Sequence, residues 1–153
     1  MNIKWDSRYD LGNARIDSEH RTLLGLIVDF GEAAEQGAPR ERLVRMLDEI
    51  SKYAEYHFLC EENIMTDCQY PEQKNHARLH LILMEDLIEK FWQFKREAIA
   101  ADEVFKFMFE WFDSHISIED KKLVGHLGNG LTTAVPLASG RRETAVGLAP
   151  KGS

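Results

Sequence analysis

The sequence predicts an all-α protein, an antiparallel up-down-up-down four-helix bundle with an N-terminal arm and a flexible C-terminal tail. Three observations predict it. Four long segments carry apolar side chains at helical spacing. Breakers bearing Pro, Gly or polar residues separate them. The connections are short, which favours antiparallel neighbours.

Each element follows in order. Residues 1–16 form an arm holding Trp5 and Tyr9, too short for a domain and expected to lie across the bundle. The first helix is expected from about Ser18 to Gln36, with Asp17 as its cap and Gly37 as its stop. The second begins just after Pro39, a residue tolerated in a first turn, and runs to about Met65. After the connection 66–70, Pro71 opens a third helix that reaches about Arg96. The fourth is expected from a cap near Asp102 to about Leu127, before Gly128 and Gly130. Residues 1–128 thus read as one domain and 129–153 as the tail. From Leu131 to Ser153 the tail is rich in Gly, Ala, Thr and Pro and has no amphipathic period. No internal repeat organises the chain.

Composition narrows the function classes. With 44% hydrophobic and 29% charged residues, the balance is that of a globular domain. The net charge of −7, without a Lys/Arg block, argues against nucleic acid as a partner. The richest apolar stretch, Leu79 to Leu87, is broken by His80, Glu85 and Asp86, so no membrane span is expected. The N-terminus lacks the apolar core of a signal peptide, and a cytoplasmic location follows as the expectation. Cys60 and Cys68 match no common zinc spacing and are expected to be free thiols.

Five of the six histidines fall into a pattern with two carboxylates. His57 and Glu61 are four apart on the second helix, and His76 and His80 four apart on the third. Residues at i and i+4 share a helix face, so each pair aims at one point. The fourth helix supplies His115 and Asp120, five apart and a looser match, and the first supplies His20. In an up-down bundle all seven lie at one level, roughly 20–30 Å from the opposite end at 1.5 Å per residue. Burying so many polar groups is costly unless something satisfies them. Imidazole suits iron, copper or zinc, and carboxylates can bridge two ions, so the set suits a dinuclear metal site. His126 lies outside this level and reads as an ordinary helix-end histidine.

At this point the sequence resembles the hemerythrin family in its single-domain bacterial form. The resemblance is carried by Trp5-Asp6, by 16–20 (Ile-Asp-Ser-Glu-His) and by 57–65 (His-Phe-Leu-Cys-Glu-Glu-Asn-Ile-Met). It continues through Tyr70-Pro71, 76–80 (His-Ala-Arg-Leu-His), His115-Ile116 and Asp120-Lys121, and covers about residues 3–127. It implies two iron ions, cycling between Fe2+ and Fe3+. His76, His80 and His115 would hold one, His20 and His57 the other. Glu61 and Asp120 would bridge them together with a solvent-derived oxo or hydroxo group. The iron with fewer ligands would keep a position open for O2.

The implied function is reversible binding of molecular oxygen, as carrier, store or sensor, without enzymatic turnover. An oxygen-consuming or signalling protein is the kind of partner this suits. The alternatives are a di-iron enzyme reducing oxygen, peroxide or nitric oxide, and an iron-handling protein. The ligand chemistry favours binding. Ferritin-like di-iron sites use four Glu and two His, whereas five neutral imidazoles here give less support to high-valent iron. Leu24, Ile64, Met65, Leu83, Met84, Trp111 and Phe112 stand three or four residues from ligands and are expected to wall the site.

Overall fold

The computed structural model describes residues 3–130; the expected tail, 131–153, lies outside the described residues. Helix α1 spans Ala14–Glu35, α2 Arg40–Asp67, α3 Gln73–Lys95 and α4 Ala101–His115. A π-helical turn, Ile116–Asp120, joins α4 to α5, Lys121–Gly130. The arm carries a 3-10 turn, Ser7–Tyr9.

Several boundaries differ from expectation, each for a local reason. Asn13 caps α1, its side chain accepting from the backbone N–H groups of Arg15 and Ile16. Asp17 instead lies in the first turn and reaches back to accept from Leu11 (2.9 Å) and Gly12 (3.1 Å), fixing the arm. Residues 71–72 form a turn, so α3 starts at Gln73 and not at Pro71. At α4 the cap position belongs to Ala100, whose N–H donates to Glu103 (3.2 Å); Asp102 is already helical. The last helix continues through Gly128 to Gly130, because Gly128 keeps a negative φ and a glycine alone does not break a helix.

The helix ends share one device. Gly37 adopts φ +70°, and the N–H groups of Gly37 and Ala38 donate to Ala34 and Ala33, closing α1. Gln69 (φ 52°) and Glu97 (φ 62°) do the same for α2 and α3 without a glycine.

Cross-helix contacts establish the antiparallel order. Arg15 and Glu19 of α1 meet Cys60 and His57 of α2. Thr66 and Asp48 of α2 meet Gln73 and Lys95 of α3. His80 and Lys90 of α3 meet His115 and Phe107 of α4. The ring closes where Gly31 of α1 faces Phe105 of α4; a Cβ at Gly31 would stand 2.6 Å from that ring. The protein is therefore an all-α four-helix bundle. Its main core, including Leu23, Ile27, Phe30, Leu47, Leu87, Phe91 and Met108, fills one side of the polar layer. A smaller cluster of Ile16, Met65, Tyr70, Leu123 and Val124 closes the other.

The arm is bound into the bundle. Tyr9 is buried, packs edge-on against Phe112 at 5.4 Å, donates its hydroxyl proton to Asp113 and accepts from Arg8. Trp5 donates to Asp10 and lies beneath the Arg21 guanidinium. Truncating a buried aromatic costs roughly 3–5 kcal/mol, and losing a hydroxyl hydrogen bond about 1 kcal/mol. Urea unfolding should therefore rank wild type above Tyr9→Phe, and Tyr9→Phe well above Tyr9→Ala. Equal midpoints for wild type and Tyr9→Ala would show that the arm is not anchored this way.

Candidate metal centre

All seven predicted residues are buried, and they converge. One group comprises Glu61, His76, His80, His115 and Asp120; the other comprises His20, His57, Glu61 and Asp120. In each, one ligand atom per residue lies within 4.8 Å of all the others. The two carboxylates belong to both groups.

The local backbone explains how Asp120 gets there. In an α-helix, residues five apart point about 140° away from one another. The π turn Ile116–Asp120 widens the coil so that residues five apart come to lie over one another, as those four apart do in α. His115 Nε2 thereby lies 3.2 Å from Asp120 Oδ1. The loose spacing in the sequence marks this turn.

Each carboxylate divides its oxygens between the groups. Glu61 Oε1 lies 3.7 Å from the Nε2 atoms of both His20 and His57. Its Oε2 is 3.6 Å from His76 Nε2 and 3.3 Å from His80 Nε2. Asp120 Oδ2 is 3.1 Å from His20 Nε2, while Oδ1 is 3.1 Å from His76 Nε2. His80 and His115 bring their Nε2 atoms within 3.1 Å of one another. Yet both oxygens of Glu61, both of Asp120, and Nε2 of His20 and His76 lack any aligned hydrogen-bond partner. Unsatisfied carboxylates in a fully buried position are strongly unfavourable. Nitrogens and oxygens converging at these separations, with nothing else to satisfy them, fit a pair of cations.

A second layer orients two of the rings. His57 Nδ1 donates to Glu19 at 3.0 Å, and Glu19 is held by Arg15 at 3.1 Å. His80 Nδ1 donates to Glu62 at 3.0 Å. Each bond places the ring proton on Nδ1 and leaves Nε2 as a lone pair facing inward. Glu19, Glu62 and Arg15 were not singled out from sequence. The available signal was register: residues 15 and 19 stand opposite 60 and 57 once α1 and α2 are antiparallel.

The walls also differ in part from expectation. A cavity of about 10 Å3 is bounded by Leu23, Phe58, Trp111, Phe112, Ile116, His57, His115 and Asp120. Trp111 and Phe112 are there as expected, Met65 walls the layer from the side of the smaller apolar cluster, and Met84 instead lines an outer groove. Ile64, Leu83 and Met84 are only half-buried, whereas Leu24 is buried in the main core. His126 joins neither group; its Nε2 lies 3.4 Å from the Cys68 carbonyl and its ring packs on Tyr70. Cys60 and Cys68 are free thiols, with Cys60 accepting from Arg15 at 3.1 Å.

Fold and site together define an α-helical bundle with a buried histidine–carboxylate cation centre. Residues 11–127 match the family model described as the hemerythrin HHE cation binding domain, and the chain belongs to the hemerythrin family. Its relatives include a bacteriohemerythrin of Stenotrophomonas maltophilia, 25% identical over 119 residues (78% of this chain, 77% of the relative). The bacteriohemerythrin of Pseudomonas aeruginosa is 23% identical over 133 residues, covering 87% of this chain and 86% of the relative. A myohemerythrin of Theromyzon tessulatum is 27% identical over 124 residues, covering 81% and 92%. The resemblance to the bacteriohemerythrin type therefore spans most of the chain.

Without metal, the charges rearrange. Burial alone would push His20 down, but the attraction of Asp120 and Glu61 overrides it and raises His20 from 6.5 to about 9. Burial opposes ionisation of Asp120, yet His115, His20 and His76 hold its pKa well below the ordinary value. A histidine with a raised folded pKa contributes stability below its unfolded pKa and loses it as pH rises through the folded value. Metal-free protein should thus lose stability between about pH 6.5 and 9. Metal-loaded protein should not, because its ligands must be deprotonated. Thermal melts across this range, with and without chelator, check both signs; a metal-free melting temperature that rises toward pH 9 would contradict the charge assignment.

Proposed function

We propose that this protein binds molecular oxygen reversibly at a non-haem di-iron centre, acting as an oxygen carrier, store or sensor and not as an enzyme. His76, His80 and His115 would hold one iron and His20 and His57 the other, with Glu61 and Asp120 shared between them and a solvent-derived oxo or hydroxo group as a further link. The observation that carries this reading is the division of each carboxylate's oxygens between a three-histidine and a two-histidine group. A lone ion would need only one of those groups. The names of the bacteriohemerythrin and myohemerythrin relatives point the same way.

When bound, the metal pair supplies reversible electron transfer to O2. The protein's part is positional. Glu19 sets the tautomer of His57, while His57 and then Arg15 favour the ionised form of Glu19 and Arg15 holds it in place. The cavity of about 10 Å3 beside His57, His115 and Asp120 has room for about one water-sized molecule. Leu23, Phe58, Trp111, Phe112 and Ile116 give it apolar walls that limit entry of further water and protons. Five neutral imidazoles keep the centre less electron-rich than a carboxylate-dominated one, which suits binding over O–O cleavage. Among the described residues no helix is long and apolar enough to cross a membrane, and free Cys60 and Cys68 suit a reducing cytoplasm. Residues 1–128 form the oxygen-binding unit in this reading, with 129–153 as an appended segment.

Anaerobically loaded protein should contain two irons per chain by metal analysis and develop a visible band with O2 that disappears on deoxygenation. His57→Ala should lose that reversible band, since it removes one of two terminal ligands on its side. Bleaching accompanied by continuous consumption of added reductant would instead identify a di-iron enzyme reducing oxygen, peroxide or nitric oxide. One iron per chain would remove the dinuclear reading.

Glu19→Gln should weaken iron binding by roughly 10–100-fold in chelator competition, the usual effect of losing a partner behind a metal-bound histidine. An unchanged affinity would show that Glu19 does not support His57.

A further inference from the structure

One face of the bundle carries apolar surface that the iron site does not use. Between α2 and α3 runs an open groove of about 540 Å3, lined by Phe58, Leu59, Ala77, Leu81, Met84 and Ile88. Leu59, Leu81 and Ile88 are 57%, 60% and 45% exposed. Glu62 and His80 border it, and Phe58 stacks on the His80 ring at 4.0 Å. Apolar side chains grouped in a groove mark a surface meant to be covered.

We propose that the chain's own residues 131–153 cover this groove. Four observations favour this occupant. The first is position: His126 of α5 lies 3.4 Å from the Cys68 carbonyl, and Leu127 and Cys68 pack on the same small cluster, so the last helix ends beside the α2–α3 connection, at the head of the groove. The second is reach. From that connection to Ser51 at the far end is roughly 24 Å at 1.5 Å per residue, and residues 131–138 extended span about 26 Å. The third is sequence. A six-residue pattern, too short to organise a domain, occurs twice: Thr-Ala-Val-Pro-Leu-Ala at 133–138 and Thr-Ala-Val-Gly-Leu-Ala at 144–149. Each copy offers a Val and a Leu two residues apart, small apolar side chains that an extended strand presents to one face. The fourth is charge. The segment holds Arg141, Arg142 and Lys151 against Glu143, while Glu55 and Glu62 border the groove.

Tethering decides between this segment and a second copy of the protein. A linked segment meets its site at an effective concentration of order millimolar, above that of free protein in dilute solution. The proposal is independent of the bound metal and of oxygen binding.

Photocrosslinking of the full chain tests it. Leu81 is replaced by p-benzoylphenylalanine, and a mixture of isotope-labelled and unlabelled protein is irradiated and mapped by mass spectrometry. Cross-links within one chain to residues 133–149 are expected. Replacing Val135, Leu137, Val146 and Leu148 together by Asp should reduce their yield roughly tenfold, because the apolar contacts are lost. Circular dichroism melting confirms that each variant is folded. Cross-links joining labelled to unlabelled chains would assign the groove to a second copy and overturn the proposal. So would cross-links that avoid residues 131–153, or a yield unchanged in the Asp variant.

Discussion

Two carboxylates, Glu61 and Asp120, sit at 0% exposure in the middle of the bundle, and the surrounding structure is organised around that cost. An unpaired buried carboxylate forfeits several kcal/mol of hydration. Five imidazoles on four helices face these oxygens, but neutral imidazoles cannot cancel two negative charges. A pair of cations can. Without them the two carboxylates favour a proton on His20, raising its pKa to about 9 against the opposing effect of burial. The apolar parts seal this layer from both sides: the main core below, and the cluster of Ile16, Met65, Tyr70, Leu123 and Val124 above. The short α5 earns its place here, because Leu123 and Val124 cap the centre that Asp120 completes.

The same constraint explains the π turn. Four helices can each present an i,i+4 pair to one level, but α4 ends in a polar layer that must also receive α5. A π turn between them advances the carboxylate by one residue and leaves α5 to continue with a shifted face. Its insertion disturbs regular helical bonding, a local cost accepted where the site requires it. The arm answers a related need. Tyr9 covers Phe112, and Phe112 in turn packs edge-on to His20 at 6.3 Å, so the arm holds in place a wall of the centre.

Much of this was legible in the sequence. Helix number, approximate spans and all seven converging residues follow from spacing, because 3.6-residue periodicity and i,i+4 pairing are local rules that the tertiary fold did not override. What escaped reading was non-local or conformational. Asp17 has the composition of a cap but serves the arm through Leu11 and Gly12, a choice made by the chain's path before the helix. Gln69 and Glu97 close helices in the left-handed region, where sequence rules look for glycine. Glu19 and Glu62 look like ordinary surface acids until the antiparallel register sets them against His57 and His80.

The two supporting carboxylates are not equivalent, and this gives the centre a direction. The side chain of Glu19 is 11% exposed, held by Arg15, and behind it lies the buried Cys60. That of Glu62 is 37% exposed, has no such clamp among the described residues, and borders the α2–α3 groove. A hydrogen bond to a carboxylate strengthens as its surroundings dry out. The His57 side therefore has a fixed environment, set within the bundle. The His80 side has one that depends on what lies in the groove. Covering the groove would exclude water from Glu62 and bring the two supports closer in strength; uncovering it would weaken the support of His80 while leaving that of His57 untouched. The outer face of α2 and α3 is thus connected to the centre through a single ring, His80, held between Phe58 and Glu62.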